Sequence, residues 1–122
     1  MTKIAIIEDD AVINQMYRMK FESDGFEVQV ASNGKIGVEM VKTFAPDLIL
    51  LDLQMPEMRG DEALKKIRQE AWGTNIPVIV LTNTGIEESP ASLKDLNVHS
   101  YIVKAELTPS QVVAKAKEAL GL

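Results

Sequence analysis

The sequence predicts an α/β domain: five short parallel strands alternating with helices that cover both faces of the sheet. Three observations predict it. Ile4–Ile7, Leu48–Leu51 and Val78–Leu81 are unbroken apolar runs without polar alternation, the pattern of strands buried on both faces. Segments with helical spacing separate the strand-like runs, so the order reads βαβαβαβαβα, which argues a parallel sheet. Finally, the strand runs end in reactive side chains, at Glu8, Asp52, Thr82 and Lys104. Open sheets of this kind bind ligands at the carboxyl ends of their strands.

Lys3–Ile7 is the first strand, and Glu8, Asp9 and Asp10 follow it. A helix starts from about Asp10, with Ile13, Met16 and Tyr17 at helical spacing, and Gly25 closes it. Glu27–Ala31 alternates and reads as a half-exposed second strand. Asn33 opens the next helix, where Gly34 and Gly37 suggest close contact with the sheet; Pro46 separates it from the third strand. That strand ends before Pro56, which cannot donate a ladder hydrogen bond. Asp61 is the expected N-cap of the third helix, with Leu64 and Ile67 facing the core. Trp72–Asn75 reads as a loop, and Ile76–Leu81 as the fourth strand, with Pro77 near its start. Ser89 and Pro90 have the chemistry of an N-cap and first helical residue for a short fourth helix reaching Asn97. His99–Val103 is the fifth strand. Thr108, Pro109 and Gln111 form a capping box with proline at the first helical position, and Val112, Val113, Ala116 and Leu120 form the last helix's apolar stripe.

At 122 residues the chain is expected to be one domain, spanning residues 1–122, with enough length for a packed core. The longest aliphatic runs are four residues, so no membrane span is expected, and the amino terminus lacks a signal-peptide pattern. The absence of cysteine excludes disulfides, thiol catalysis and Cys-based zinc sites, and fits a cytoplasmic location. The formal net charge is −5, with no Lys/Arg-rich run, which argues against direct nucleic-acid binding. His99, the only histidine, reads as a strand-start residue, and the methionines at 16, 19, 40, 55 and 58 read mostly as core filling.

In a parallel sheet all carboxyl ends point the same way. Glu8, Asp9, Asp52, Thr82 and Lys104 therefore converge on one edge. Clustered carboxylates repel, so at least one pKa rises unless a cation intervenes. An oxygen-only donor set selects a hard cation. Magnesium fits best, because it needs few protein oxygens and keeps waters that a phosphate can displace. Lys104 brings a compact positive charge and Thr82 a hydroxyl. The set suits a phosphoryl group received by Asp52, since phosphoryl transfer chiefly demands charge neutralisation and positioning.

Four motifs occur in order: Ile7-Glu8-Asp9-Asp10, the run from Leu51-Asp52 through Gln54-Met55-Pro56 to Gly60, Leu81-Thr82, and Tyr101-Ile102-Val103-Lys104. In these the chain, from Lys3 to about Leu120, resembles the receiver domain of two-component response regulators, chemotaxis regulators included. The resemblance implies a flavodoxin-like (βα)5 fold with strand order 2-1-3-4-5. It implies that Asp52 is the phospho-acceptor, and that Glu8 and Asp9 hold Mg2+ together with Asp52 and the backbone carbonyl of Gln54. Thr82 and Lys104 match the switch hydroxyl and the essential lysine, while Asp10 falls to the helix N-cap. Tyr101 matches an aromatic that changes rotamer on activation, although a half-buried packing tyrosine is an equal reading of that residue. The partners implied are a sensor histidine kinase or phosphotransfer protein, and a downstream protein effector docking on the fourth helix, fifth strand and fifth helix. A homodimer through the last helices is compatible with the sequence. Such a domain assists its own phosphotransfer and dephosphorylation without being an enzyme in its own right.

The chain also departs from the family pattern. Ala105 follows Lys104 where proline is usual, and a trans bond is expected there, since a cis non-proline bond costs about 2.5–4 kcal/mol. Asn83 is larger than the usual residue after the threonine and would crowd the site. Gln54 and Thr84 occupy positions that tune dephosphorylation in similar domains. Two other functions compete: a hydrolase passing through an aspartyl-phosphate, and a receiver-like scaffold that is not phosphorylated. Hydrolases of the haloacid-dehalogenase type usually carry a second aspartate two residues after the nucleophile, and Gln54 stands there instead.

Overall fold

The computed structural model describes residues 1–55, 57–83 and 96–122. Pro56, Thr84, Gly85 and the helix expected from Ser89 and Pro90 lie outside the described residues. The elements run β1 (Lys3–Ile7), α1 (Ala11–Ser23), β2 (Glu27–Ala31), α2 (Gly34–Phe44), β3 (Leu48–Asp52), α3 (Gly60–Gln69), β4 (Val78–Thr82), β5 (Ser100–Val103) and α4 (Pro109–Leu120). All strand pairs are parallel, and the order is β2-β1-β3-β4-β5, the order implied by the resemblance.

Strand alternation sorts the core into two layers. Ile4, Ile6, Leu48, Leu50, Ile79 and Leu81 pack with Tyr17 and Phe21 of α1 and Val112, Val113 and Ala116 of α4. Ala5, Ile7, Ile49, Leu51, Val78 and Val80 pack with Met40, Val41 and Phe44 of α2 and Leu64 and Ile67 of α3. Every residue of β3 and β4 is buried, as expected of strands covered on both sides. No helix among the described residues is long and apolar enough to cross a membrane.

The helix starts mostly follow their side chains. The Asp10 carboxylate accepts hydrogen bonds from the Val12 and Ile13 amides, the Asn33 side chain accepts from Ile36, and Thr108 and Gln111 complete a capping box. Gly25, at φ +91°, takes the chain out of α1 just after the cap residue Asp24. The Lys104–Ala105 bond is trans, as expected, and opens a 3-10 turn over Lys104–Glu106.

Several expectations need correction. Asp61 is not the N-cap of α3: the helix begins at Gly60 after Arg59, because the Gly60 amide donates to the Leu53 carbonyl at 3.0 Å and turns the chain early. Asp61 instead lies in the first turn and pairs with Arg59 at 3.2 Å. Met16 and Met19 are not core residues but are 43% and 61% exposed, since the buried stripe of α1 is Asn14, Tyr17 and Phe21. Residues 71–73 form a 3-10 turn rather than an open loop. The fourth strand starts after Pro77, and the fifth starts at Ser100 rather than His99, which is exposed.

Candidate functional site at the carboxyl edge

Register places the reactive residues side by side. Ile7 pairs with Leu51, Asp52 with Leu81, and Thr82 with Val103. Glu8, Asp52, Thr82 and Lys104 therefore lie within one residue step of a common level at the top of four adjacent strands. Alternation adds a second restriction. Glu8, Asp52 and Lys104 are in phase with Ile6, Leu50 and Ile102 of the layer under α1 and α4. Thr82 and Tyr101 are in the opposite phase, and Tyr101 packs half-buried against the layer under α2 and α3.

The Lys104 ammonium bridges two carboxylates. It donates to Glu8 Oε1 in a short contact and lies 3.3 Å from Asp52 Oδ1. The second Glu8 oxygen, Oε2, accepts from the Asp10 amide at 3.2 Å. Glu8 is fully buried and Asp52 is 2% exposed, whereas Asp9 is exposed. Such burial of charge persists only when it is paired and hydrogen-bonded. The Gln54 amide donates to Asp52 Oδ1 at 3.3 Å, which fixes the first turn after β3. Gly60 holds the far side of that turn: a Cβ there would fall 2.1 Å from the Asp52 carbonyl oxygen, so only glycine lets the chain close so tightly.

Electrostatics separate Asp52 from Asp9. Burial, then the neighbouring Glu8 carboxylate, push Asp52 up to about 8 against the opposing pull of Lys104. Burial would also raise Asp9, but its ionised carboxylate accepts hydrogen bonding from the neighbouring Asp52 and Glu8 carboxyls, which outweighs burial and holds Asp9 below the usual carboxylate range. Burial works against the charge on Lys104, yet its hydrogen bond to Glu8 and the two carboxylate charges raise it above the ordinary lysine value.

One carboxylate oxygen from each of Glu8, Asp9 and Asp52 lies within 4.8 Å of the others. The residues present fit a hard divalent cation. They supply only oxygen, and they gather more negative charge than Lys104 alone offsets. A cleft of about 330 Å³ opens over them, bordered also by Ile13, Gln54 and Asn83. It is polar, and its size suits an ion with a small oxyanion.

The structure thus brings Glu8, Asp9, Asp52 and Lys104 into contact, sets Thr82 buried at the adjoining strand end, and puts Gln54 on the cleft wall. Tyr101 lies lower on β5, level with Val80, away from the acids. Sequence reasoning missed Asn14, whose buried amide donates to the Glu8 carbonyl at 2.9 Å and so anchors the acidic turn to α1. Its signal was a lone polar residue sharing the buried stripe with Tyr17 and Phe21.

The profile of the response regulator receiver domain matches residues 4–117. The phosphate regulon transcriptional regulatory protein PhoB of Rhizobium meliloti is 30% identical over 118 residues, covering 97% of this chain and 52% of PhoB. The chain spans about half the length of the curated PhoB relatives it matches. Among solved structures, chemotaxis protein CheY4 of Vibrio cholerae superposes with a TM-score of 0.91 at 25% identity, covering 98% of this chain and 99% of CheY4. Response regulator protein TrrA of Thermotoga maritima, solved in complex with Mg2+-BeF, gives a TM-score of 0.85 at 25% identity, covering 98% and 100%.

Proposed function

The chain belongs to the response regulator receiver domain family, a class of signalling modules that interact with histidine kinases, and from that membership we propose that Asp52 is its phospho-acceptor. The donor is the phosphohistidine of a sensor kinase or phosphotransfer protein. An Asp52 carboxylate oxygen attacks in line. The phosphorus–oxygen bond forms as the phosphorus–nitrogen bond breaks, and the leaving imidazole nitrogen keeps the electron pair. The observation that carries this reading is the Lys104 ammonium held between Glu8 and Asp52, beside Asp9, at the mouth of a small polar cleft.

Glu8, Asp9, Asp52 and the Gln54 carbonyl are the groups that would hold Mg2+, the cation proposed here. When bound, the ion supplies positive charge against the phosphoryl oxygens and against the ionised Asp52. Lys104 does the corresponding work from the protein side. Its Nζ is already within reach of Asp52, so it meets the incoming phosphoryl oxygens without being moved far. Thr82 offers its hydroxyl from the neighbouring strand end. Asn83 narrows the cleft and slows the access of small donors and water.

The acyl phosphate adds roughly −1.5 to −2 charges at one rim. We assign to Thr82 and Tyr101 the response: the hydroxyl turns toward the phosphoryl group and the ring moves inward on β5. That is a shift between two pre-existing states, and it reads out on β5 and α4, together with the fourth helix expected from Ser89 and Pro90, where a downstream protein docks. The reading carries a cytoplasmic location and no direct role for nucleic acid in the site.

The test uses phosphoramidate, whose phosphorus–nitrogen bond stands in for phosphohistidine, with MgCl2. Intact mass of the wild type is expected to rise by one phosphoryl group, and only when magnesium is present. No phosphorylation of the wild type would favour the scaffold reading. Continuous release of phosphate from simple phosphate esters would favour a hydrolase.

A further inference from the structure

Among the described residues Arg68, the penultimate residue of α3, makes five hydrogen bonds, all to backbone carbonyls. Nε donates to Leu96 at 2.8 Å and Nη2 to Asn97 at 3.2 Å. Nη1 donates to Gly73 at 2.8 Å, Thr74 at 3.3 Å and Ile76 at 2.8 Å. No carboxylate among the described residues forms an ion pair with it. Burial lowers its pKa below the ordinary arginine value. The rigid fork of a guanidinium suits several fixed acceptors at once, and here main-chain oxygens supply them.

The two chain segments it grips have a common property. Gly73–Ile76 leads through Pro77 into β4, and Leu96–Asn97 leads into β5. Pairing of these strands begins just beyond the grip, where the His99 amide donates to Val78 at 2.9 Å and Ile79 pairs with Ser100. The carboxyl ends of the same two strands carry Thr82 and Lys104. Asp9 and Asp52 belong to the tops of β1 and β3, which Arg68 does not touch. At its other end α3 is tied to the Asp52 turn through the Gly60–Leu53 hydrogen bond. The helix is therefore a brace from the acceptor turn to the start of the two strands that bring the hydroxyl and the ammonium.

We infer that Arg68 is a positioning residue: it locks β4 and β5 against α3 and thereby sets where Thr82 and Lys104 stand relative to Asp52. The effect on phosphotransfer rests on the function proposed above, whereas the clamp itself can be measured without it.

Two variants test the inference, Arg68→Met, which removes every donor, and Arg68→Lys, which keeps the charge but not the fork. Native-state hydrogen exchange is expected to show lost protection at His99 and along β5 in Arg68→Met, with β1 and β3 unchanged. Phosphorylation by phosphoramidate is expected to slow by roughly tenfold while the magnesium dissociation constant holds, because the acids are not displaced. Arg68→Lys is expected to fall between the wild type and Arg68→Met. Unchanged exchange at β5 overturns the clamp. Loss of protection throughout the sheet, an unchanged phosphorylation rate, or a loss of magnesium affinity in step with the rate overturns the positioning role. A wild type that takes no phosphoryl group defeats the proposed function instead, and the exchange contrast still decides the clamp.

Discussion

Asp52 holds its proton far above the value of a free carboxyl, about 8 against 3.8. The sign of the consequence follows from proton counting. Between those two pH values the folded protein keeps a proton that the unfolded chain releases, so stability falls as pH rises through the window. Below it both states are protonated and nothing is lost. Asn at position 52 removes both the titration and the repulsion from Glu8. Metal-free Asp52→Asn is therefore expected to gain stability over wild type as pH rises from 4 to 8, by several kcal/mol at pH 8, with the advantage vanishing near pH 4. Urea melts of both proteins across that range check it; a gap independent of pH would mean that Asp52 carries no burial or charge penalty. The same residue limits what one sequence position reveals. That Asp52 ends a buried strand was readable from the apolar run before it. That Glu8, rather than Asp52 alone, would take the Lys104 ammonium was not, because it depends on the reach of the two long side chains toward each other over the ends of β3 and β4.

At the scale of elements, helix starts were legible where a side chain makes its own cap. Asp10, Asn33 and Thr108 bond amides two or three residues ahead, and such local chemistry is written in the sequence itself. The start of α3 was not legible, since it is set by a backbone bond to Leu53 and by the closeness of Gly60 to the Asp52 carbonyl. The methionines of α1 were misread for a related reason. Spacing allowed Met16 to share the apolar stripe with Tyr17, but the buried stripe runs through the polar Asn14, whose partners Glu8 and Ala31 lie in other segments. The tight approach at Gly60 carries its own prediction. Gly60→Ala should destabilise the protein by about 2 kcal/mol or more, although alanine is the better helix former by about 1 kcal/mol, because the methyl carbon meets a main-chain oxygen that cannot yield cheaply. Thermal unfolding of the variant measures this; a neutral or stabilising result would show that the acceptor turn is slack.

Over the whole molecule, the arrangement rests on two regularities of a parallel sheet. All carboxyl ends share an edge, and residues two apart share a face. Together they deliver Glu8, Asp52 and Lys104 to one side of one rim from three strands that are not consecutive in sequence. The convergence on an edge was readable from the strand runs. The strand order came from likeness to other receivers, because handedness and burial leave more than one order open. The five-carbonyl grip of Arg68 had no sequence signal at all, since an arginine near a helix end ordinarily reads as a solvated residue. What the rim does is decided most directly by finding where the phosphoryl group goes. After exposure to phosphoramidate and magnesium, borohydride reduction converts an aspartyl phosphate to homoserine, and peptide mass mapping locates it. Homoserine at position 52, and at neither 9 nor 10, is the predicted result; homoserine at either of those acids, or none anywhere in a protein that still binds magnesium, would contradict it.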